Sequence, residues 1–386
     1  MKRLFSNLLF KVFLAIVLGI VFGLYFPESV NRIFATFNAI FSQFLNFAIP
    51  LIIMGLIMPA ISDLGGGAGK LLLLTTAIAY GSTLFSGFMT YFTTLGIFSS
   101  LLASHADKTA QIAETAKELA PYFTITIPVV LDVMTALVLA FVIGLGLAYQ
   151  EKSTLKLVVK DFQIIIMQLI EKVIVPLLPL FIFGIFANMS FTGKVYSILS
   201  VFVNIIGVIF ALHIILLLLQ YTVAGILVKK NPLRLLATMM PAYFTALGTQ
   251  SSAATIPVTL KQTLKNGVSE KVAGFVIPLC ATIHLSGSVM KITACAMAIM
   301  ILEGVPFSFT LFAGFIFMLG IAMVAAPGVP GGAIMAAIGI LQSMLGFNEE
   351  MIGLMIALYI AMDSFGTACN VTGDGAIALV INKITK

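Results

Sequence analysis

The sequence predicts an all-α integral membrane protein with eight transmembrane helices and two re-entrant helical hairpins. Of its 386 residues, 60% are hydrophobic and only 9% are charged, whereas a soluble domain carries about 25% charged residues. Apolar runs long enough to cross roughly 30 Å of hydrocarbon recur along the chain, and polar breaks interrupt those in its last third. This composition excludes a soluble enzyme, a nucleic-acid-binding protein and a disordered regulator.

The first two thirds of the chain contain six uninterrupted apolar runs, which we interpret as transmembrane helices. Their approximate bounds are 8–26, 34–61, 70–103, 127–149, 161–187 and 196–228. The first run follows Lys2 and Arg3, as in a signal peptide, but it lacks an A-x-A cleavage site, so we expect it to be retained. The polar segment 104–120 is interpreted as a loop between the third and fourth spans.

Four irregular segments make up the remaining third of the chain: 235–262, 272–302, 308–345 and 350–382. The first and third have polar or Gly- and Pro-rich centres, and we interpret them as re-entrant hairpins. The second and fourth are interpreted as transmembrane helices with broken centres. Backbone groups at such breaks cannot face lipid, so they must be satisfied by protein or in a wet cavity.

The hairpins and broken helices repeat at similar intervals. Ser251 and His284 are 33 positions apart, and Pro330 and Thr367 are 37 positions apart. This similarity indicates two copies of a hairpin-plus-broken-helix unit. Interrupted segments in corresponding positions are the best sequence pointer to the binding site of a secondary transporter.

The basic residues support this topology with both termini in the cytoplasm. In that arrangement 15 of the 21 Lys and Arg residues fall on the cytoplasmic side, and four fall outside: Arg32, Lys108, Lys117 and Lys194. Positive charge concentrates in the cytoplasmic loops of membrane proteins. The net charge of +6 therefore needs no nucleic-acid partner.

The last predicted helix carries the strongest candidates for a binding site. Asp363 and Asp374 are 11 positions apart, about three helical turns, so they project from roughly one face. The residues between them are mostly small or oxygen-bearing: Ser364, Gly366, Thr367, Cys369, Asn370 and Thr372. Such a stripe suits a monovalent cation or a bound ammonium group. The alternative is a polar contact between closely packed helices.

The centres of the two hairpins are further candidates. Gln250-Ser251-Ser252 offers hydroxyls and helix-terminal N–H groups that favour a carboxylate, unless it is only an exposed turn. Residues 328–332 combine fixed and permissive backbone, which suits a tip that opens and closes, or else a rigid turn. His284 either relays protons or bonds a carbonyl. Asp132 either pairs with Lys291 or caps a break in its own helix.

Three motifs in order are similar to those of the dicarboxylate/amino acid:cation symporter family, which includes the glutamate transporters. The first hairpin of that family resembles residues 249–259 (TQSSAATIPVT), and its second hairpin resembles residues 328–333 (GVPGGA). The sodium motif of its final helix resembles residues 370–374 (NVTGD). The family's Asn-Met-Asp-Gly-Thr break corresponds to residues within 281–288 (ATIHLSGS). The resemblance covers essentially the whole chain.

The resemblance implies a homotrimer in which a transport domain slides against a static scaffold like an elevator. The scaffold would comprise residues 1–69 and 104–187, with the first, second, fourth and fifth spans. The transport domain would comprise residues 70–103 and 188–386, with the third and sixth spans, both hairpins and both broken helices. It further implies a multi-pass protein of the cell membrane that binds a small amino acid.

The resemblance also assigns roles to individual residues. Asp363 would bind the amino group of the substrate, and Asn370 would contact its α-carboxylate. The other substrate-binding residues would be Ser251, Ser252, Val329, Gly331, Gly366 and Thr367. The sodium ligands it implies are Asp374 with carbonyls near Cys280, His284 and Asn370 for one ion, and Thr282 with the backbone around Val324 and Ala326 for another.

Departures from the family's pattern predict a neutral or small polar amino acid as substrate. Members that carry acidic substrates have an Arg at one of two positions, where this sequence has Gly366 and Gln250. A side-chain carboxylate would therefore lack its bidentate partner. His284 and Ser286 replace the family's Asn and Asp, which predicts loss of a third sodium site. Either Lys291 then supplies a fixed positive charge, or His284 couples protons.

The sequence thus predicts an ion-coupled symporter that imports a neutral or small polar amino acid, with Na⁺ as the expected coupling ion and H⁺ as the alternative. The alternative within this class is a symporter for dicarboxylates, acidic amino acids or cystine. A channel would conduct without accumulating its substrate. A membrane enzyme would have to use Ser252 and His284, and no H-E-x-x-H, C-x-x-C or P-loop motif is present, so we expect no enzymatic activity.

Overall fold

The computed structural model describes residues 8–65, 70–115, 119–150, 153–193, 195–326 and 330–385. Within these ranges the chain forms fifteen α-helices and no strand. The helices are α1 Leu8–Tyr25, α2 Glu28–Gly65, α3 Lys70–Thr115, α4 Val133–Ala148, α5 Thr154–Leu169, α6 Val175–Phe191, α7 Val195–Val228, α8 Pro232–Thr249, α9 Ser252–Lys265, α10 Glu270–Ile283, α11 Ser286–Leu302, α12 Phe309–Ala325, α13 Gly332–Leu345, α14 Glu349–Ala361 and α15 Asp363–Ile384. A π-helical turn, Ile170–Ile174, joins α5 to α6.

The length and apolar content of the helices indicate a multi-pass membrane protein. Six described helical runs are able to cross a membrane, or seven when α14 and α15 count as one bent span. Helix α4 has 16 residues, fewer than the roughly 20 that a crossing needs. The prediction of an all-α, multi-pass fold is therefore confirmed, whereas the number of eight spans stays a prediction.

Two predicted boundaries are wrong. Helix α3 continues to Thr115 through most of the segment predicted as a loop, because Ala, Gln, Lys and Glu in this segment are good helix formers. Helix α4 begins at Val133 rather than near residue 127. Pro128 disfavours a helix through the preceding segment, and the side chain of Asp132 caps α4 by accepting the N–H of Thr135 at 2.9 Å.

Both predicted hairpins contain a pair of packed helices. In the first hairpin α8 packs against α9, and the chain turns at Gln250, which has the left-handed φ of 54°. In the second hairpin α12 packs against α13, and Gly331, with φ 76°, precedes α13. Their return to the same side of the membrane stays a prediction.

The helix after each hairpin is broken, as predicted. The first break separates α10 from α11 at His284. The second break lies at Met362, where α14 and α15 bend by 60°, rather than near Thr367. The interval from Pro330 to this break is 32 positions, which is closer to the 33 positions between Ser251 and His284.

Helix packing brings the two broken helices together. Helix α15 contacts α10 and α11, and it is flanked by α7, α8 and α9. Helix α11 is almost entirely buried. The helices around the two broken helices form a first set: α3, α7, α8, α9, α10, α11 and α15. A second set packs largely within itself and consists of α1, α2, α4, α5 and α6. Helices α12, α13 and α14 contact both sets.

Candidate functional site

Two buried carboxylates on α15 face the broken helix α10–α11. Asp363 and Asp374 have only 6% and 1% of their surface exposed. Lys291 lies beside Asp363, and His284 lies beside Asp374. The prediction that both carboxylates project from one face of the helix is therefore confirmed. Because the later basic residue pairs with the earlier acid, α15 and α11 run antiparallel.

Both oxygens of the Asp363 carboxylate have protein partners. The ammonium of Lys291 lies 3.2 Å from Oδ1, and the backbone N–H of Gly331 donates to Oδ2 at 2.9 Å. Lys291 also donates to the carbonyl of Met362 at 3.4 Å. Its Nζ lies 3.7 Å from the centre of the Tyr359 ring, a cation–π contact. Asp363 therefore links α11, α15 and the tip of the second hairpin.

Lys291 occupies the space beside Gly366. A Cβ atom at position 366 would lie 2.6 Å from the Lys291 Nζ and would also clash with its Cε. The lysine is fully buried, so its stem has little room to move aside. Of the two roles predicted for Asp132, pairing with Lys291 is wrong. Asp132 caps α4, and Lys291 pairs with Asp363.

A second cluster of polar side chains, the Asp374 centre, consists of Asp374, His284, Ser82 and Gln220. Nδ1 of His284 lies 2.8 Å from Oδ1 of Asp374, and Nε2 of the same ring lies 3.1 Å from the hydroxyl of Ser82 on α3. The side-chain amide of Gln220 on α7 donates to the same hydroxyl at 3.0 Å. This chain of polar groups connects the carboxylate to two neighbouring helices.

Asn370 ties α15 to the start of α11. Its Oδ1 accepts the N–H of Gly287 at 2.7 Å, and its Nδ2 donates to the hydroxyl of Ser288 at 3.2 Å. Gly287 permits this contact, because a Cβ there would lie 2.8 Å from the carbonyl oxygen of Gly366. The hydroxyl of Thr367 donates to the carbonyl of Asp363 at 2.9 Å. Both residues thus lie in the region of the Asp363 centre.

The predicted serines of the first hairpin lie at the start of α9. Ser251 caps this helix by accepting the N–H of Ala254 at 3.3 Å, and its carbonyl accepts the hydroxyl of Thr255 at 2.8 Å. The side chain of Ser252 is buried. Helices α8 and α9 both contact α15, so this hairpin lies against the helix that carries the two carboxylates.

The predicted sodium ligands other than Asp374 are mostly backbone groups. The carbonyl of Cys280 accepts the N–H of His284 at 2.9 Å. Thr282 is exposed, and its hydroxyl donates to the carbonyl of Leu279 at 2.8 Å. Helix α10 contacts α12, whose end carries Val324, followed by Ala326. The described residues contain no group of three or more His, Cys, Asp or Glu that would hold a metal. Val329 lies outside the described residues.

Sequence reasoning missed four residues of these centres. They are Ser82, Gln220, Ser288 and Tyr359. Gln220 is an amide inside an apolar helix, which was a usable signal, whereas Ser82 lies among many other hydroxyl residues of α3 and does not stand out. Tyr359 and Ser288 gave no comparable signal in the sequence. The structure joins them, since the hydroxyl of Tyr359 donates to that of Ser288 at 3.2 Å.

Buried charges beside interrupted helices, within a fold of several apolar helices, define a membrane transporter. The chain belongs to the sodium:dicarboxylate symporter family, whose model matches residues 8–384. Proteins of this family are symporters, so the prediction of a transporter rather than an enzyme is confirmed.

Several relatives have names that specify a substrate. A serine/threonine transporter, SstT, of Acinetobacter baumannii is 27% identical over 383 residues, which cover 95% of this chain and 94% of the relative. SstT of Acinetobacter baylyi is 26% identical over 396 residues, or 98% of both chains. Excitatory amino acid transporter 3 of Mus musculus is 33% identical over 162 residues, which cover 42% of this chain and 31% of the relative.

Proposed function

We propose that this protein is an ion-coupled symporter that imports a neutral or small polar amino acid. The observation that carries this proposal is the carboxylate of Asp363, which is buried between the Gly331 N–H at the second hairpin and the helix break. A carboxylate at this place suits the amino group of a substrate. The full-length relatives named as serine/threonine transporters support a substrate of this size.

The surroundings of Asp363 favour a substrate without a charged side chain. Gly366 and Gln250 stand where acidic-substrate members carry an Arg, and the cation that occupies the space at Gly366 is already paired with Asp363. We assign the α-carboxylate to the hydroxyl and amide groups of Ser251, Ser252, Thr367 and Asn370, which would exchange present contacts, such as that of Asn370 with Gly287, for the substrate. The second hairpin, with Val329 and Gly331, would close over the bound substrate.

A symporter for dicarboxylates, acidic amino acids or cystine is the second candidate. The observation that favours it is the ammonium of Lys291, which lies within 2.6 Å of the place where a Cβ of residue 366 would be. If a substrate amino group took over Asp363, this ammonium would be released toward a second carboxylate. A lysine offers a point charge rather than the bidentate fork of an Arg, so we rank this candidate second.

We propose Na⁺ as the coupling ion, held by Asp374 with carbonyls near Cys280, His284 and Asn370, and a second Na⁺ near Thr282, Val324 and Ala326. Unwound backbone carbonyls hold Na⁺ in transporters with broken helices, and the family description names sodium. The contact of His284 with Asp374 favours H⁺ as the alternative. The replacement of a family Asp by Ser286 supports loss of a third sodium site.

An elevator movement is the proposed mechanism. The set of α1, α2, α4, α5 and α6, which packs largely within itself, supports a scaffold of residues 1–69 and 104–187 beside a transport domain of residues 70–103 and 188–386; residues 104–115 then extend α3 out of the transport domain. We further propose a homotrimer in the cell membrane, as the family resemblance implies. Both termini would lie in the cytoplasm, because 15 of 21 basic residues are then on the cytoplasmic side.

Uptake by the purified protein in liposomes tests the proposed function. Radiolabelled serine, alanine, threonine, cystine, aspartate and glutamate would be offered with an inward sodium gradient, with an inward proton gradient, and with neither. We expect sodium-driven accumulation of serine, alanine or threonine. Preference for aspartate or glutamate would overturn the substrate assignment, and uptake independent of sodium would overturn the ion assignment. Conduction without accumulation would indicate a channel.

A further inference from the structure

We infer that Lys291 is a tethered counter-cation for Asp363, which takes the place of the substrate's amino group while the carrier returns without substrate. This inference rests on the proposed function. It assigns to Lys291 a role in the return of the substrate-free carrier that neither the family motif nor the names of the relatives specify.

The carboxylate of Asp363 is already occupied by groups of the protein. Its two carboxylate oxygens are taken by the ammonium of Lys291 at 3.2 Å and by the N–H of Gly331 at 2.9 Å. A substrate ammonium that reaches Oδ1 therefore has to displace Lys291. The protein and its substrate offer the same chemical group to the same carboxylate oxygen, so the two cations compete.

After such a displacement, Lys291 would retain its contacts with other groups of the site. The face of the Tyr359 ring lies 3.7 Å from its Nζ, and the carbonyl of Met362 lies 3.4 Å away. Both are acceptors that stabilise a buried ammonium without a full charge. Gly366 leaves the space that the stem of the lysine fills. The site thus holds the ammonium in place whether or not it retains Asp363.

The carboxylate of Asp363 also needs a counter-charge while the substrate-free domain returns. A lone carboxylate buried in a membrane domain is strongly unfavourable, and removing one member of a buried ion pair leaves such a charge. With substrate bound, the substrate's amino group balances Asp363. Without substrate, Lys291 restores a neutral pair, and the N–H of Gly331 keeps the second hairpin against the same carboxylate. The return of the substrate-free domain then moves no unpaired acid.

The experiment separates the return step from the substrate-bound step. Purified variants in liposomes would be assayed with radiolabelled L-serine in two modes: net uptake into serine-free vesicles, which requires return of the substrate-free carrier, and exchange with serine on both sides, which does not. We expect Lys291→Met and Lys291→Gln to lose net uptake by at least about tenfold, while exchange stays within about twofold of the wild-type rate.

Two further variants sharpen the test. Lys291→Arg keeps a cation and is expected to keep a higher ratio of net uptake to exchange than Lys291→Met. Lys383→Met, which removes an exposed lysine near the end of α15, is expected to match the wild type in both modes. If Lys291→Met retains net uptake, or if both neutral variants lose the two modes in parallel, the inference is wrong. Absence of both modes in the wild-type protein would instead overturn the proposed function.

Discussion

The Asp363 and Asp374 centres lie on one helix and face one broken helix, yet their partners differ in kind. Asp363 has a lysine and the backbone N–H of a hairpin tip. Asp374 has an imidazole that continues into the hydroxyl of Ser82. The Gly331 partner of Asp363 can leave when the hairpin tip moves, whereas the partners of Asp374 are embedded between helices. This difference supports the proposal that substrate exchanges at the first centre and that ion coupling belongs to the second.

The largest effect is expected for Asp363→Asn. The substitution leaves the ammonium of Lys291 without a charged partner in a buried site, which costs about 3 to 5 kcal/mol. We expect uptake of serine to fall at least about 100-fold, in both net uptake and exchange. Measurement in liposomes with matched amounts of reconstituted protein checks this.

Asp132→Asn is the matched control for that substitution, because it makes the same chemical change at the exposed cap of α4. Asn caps a helix about as well as Asp, so uptake should remain at the wild-type level. Equal rates for Asp363→Asn and Asp132→Asn would remove the proposed distinction of the Asp363 centre.

His284→Asn tests the second centre, since it restores the residue that the family's motif has at this position. The amide is shorter than the imidazole, and loss of a hydrogen bond to a charged group is expected to lower the free energy of unfolding by about 1.5 to 3 kcal/mol. Sodium-driven uptake should persist, because Asp374 remains. If uptake by the wild-type protein is driven by a proton gradient rather than by sodium, and His284→Asn abolishes it, H⁺ coupling through His284 is favoured instead.

Gly366→Ala tests the close approach of Lys291 to α15. The added Cβ would lie 2.6 Å from Nζ, so the lysine has to shift away from Asp363, at about 1 to 3 kcal/mol. We expect net uptake to fall by roughly tenfold. Gly274→Ala is the control, because position 274 on α10 has open space for a Cβ. If both variants transport at the same rate, Lys291 does not depend on this gap.

The smallest effects are expected at Tyr359. Tyr359→Phe removes the phenol hydroxyl with its hydrogen bond to Ser288 and should lower the free energy of unfolding by about 0.5 to 1.5 kcal/mol. Tyr359→Leu removes the ring below Lys291 as well and should lower net uptake further, since a desolvated cation–π contact contributes about 2 kcal/mol. Thermal unfolding in detergent and uptake in liposomes check the pair. Equal net uptake in the two variants would contradict a role for the ring.

Sequence reasoning recovered the hairpins, the broken helices and the two acids, because each depends on local pattern: polar residues in apolar runs, and two carboxylates three turns apart. It placed the second break near Thr367 rather than at Met362. Small or polar residues such as Ser364 and Gly366 resemble a helix break in the sequence, although in the structure they allow close packing. The pairing of Lys291 with Asp363 depends on how two distant helices cross, and no local pattern contains that information.

The division of work between the two acids is tested most directly by sodium activation of serine uptake in Asp374→Asn. Initial rates would be measured in liposomes over a range of sodium concentrations, beside the wild-type protein. We expect that the rate of the variant no longer rises with sodium, because the carboxylate that would hold the ion is gone. An unchanged sodium activation curve would contradict it.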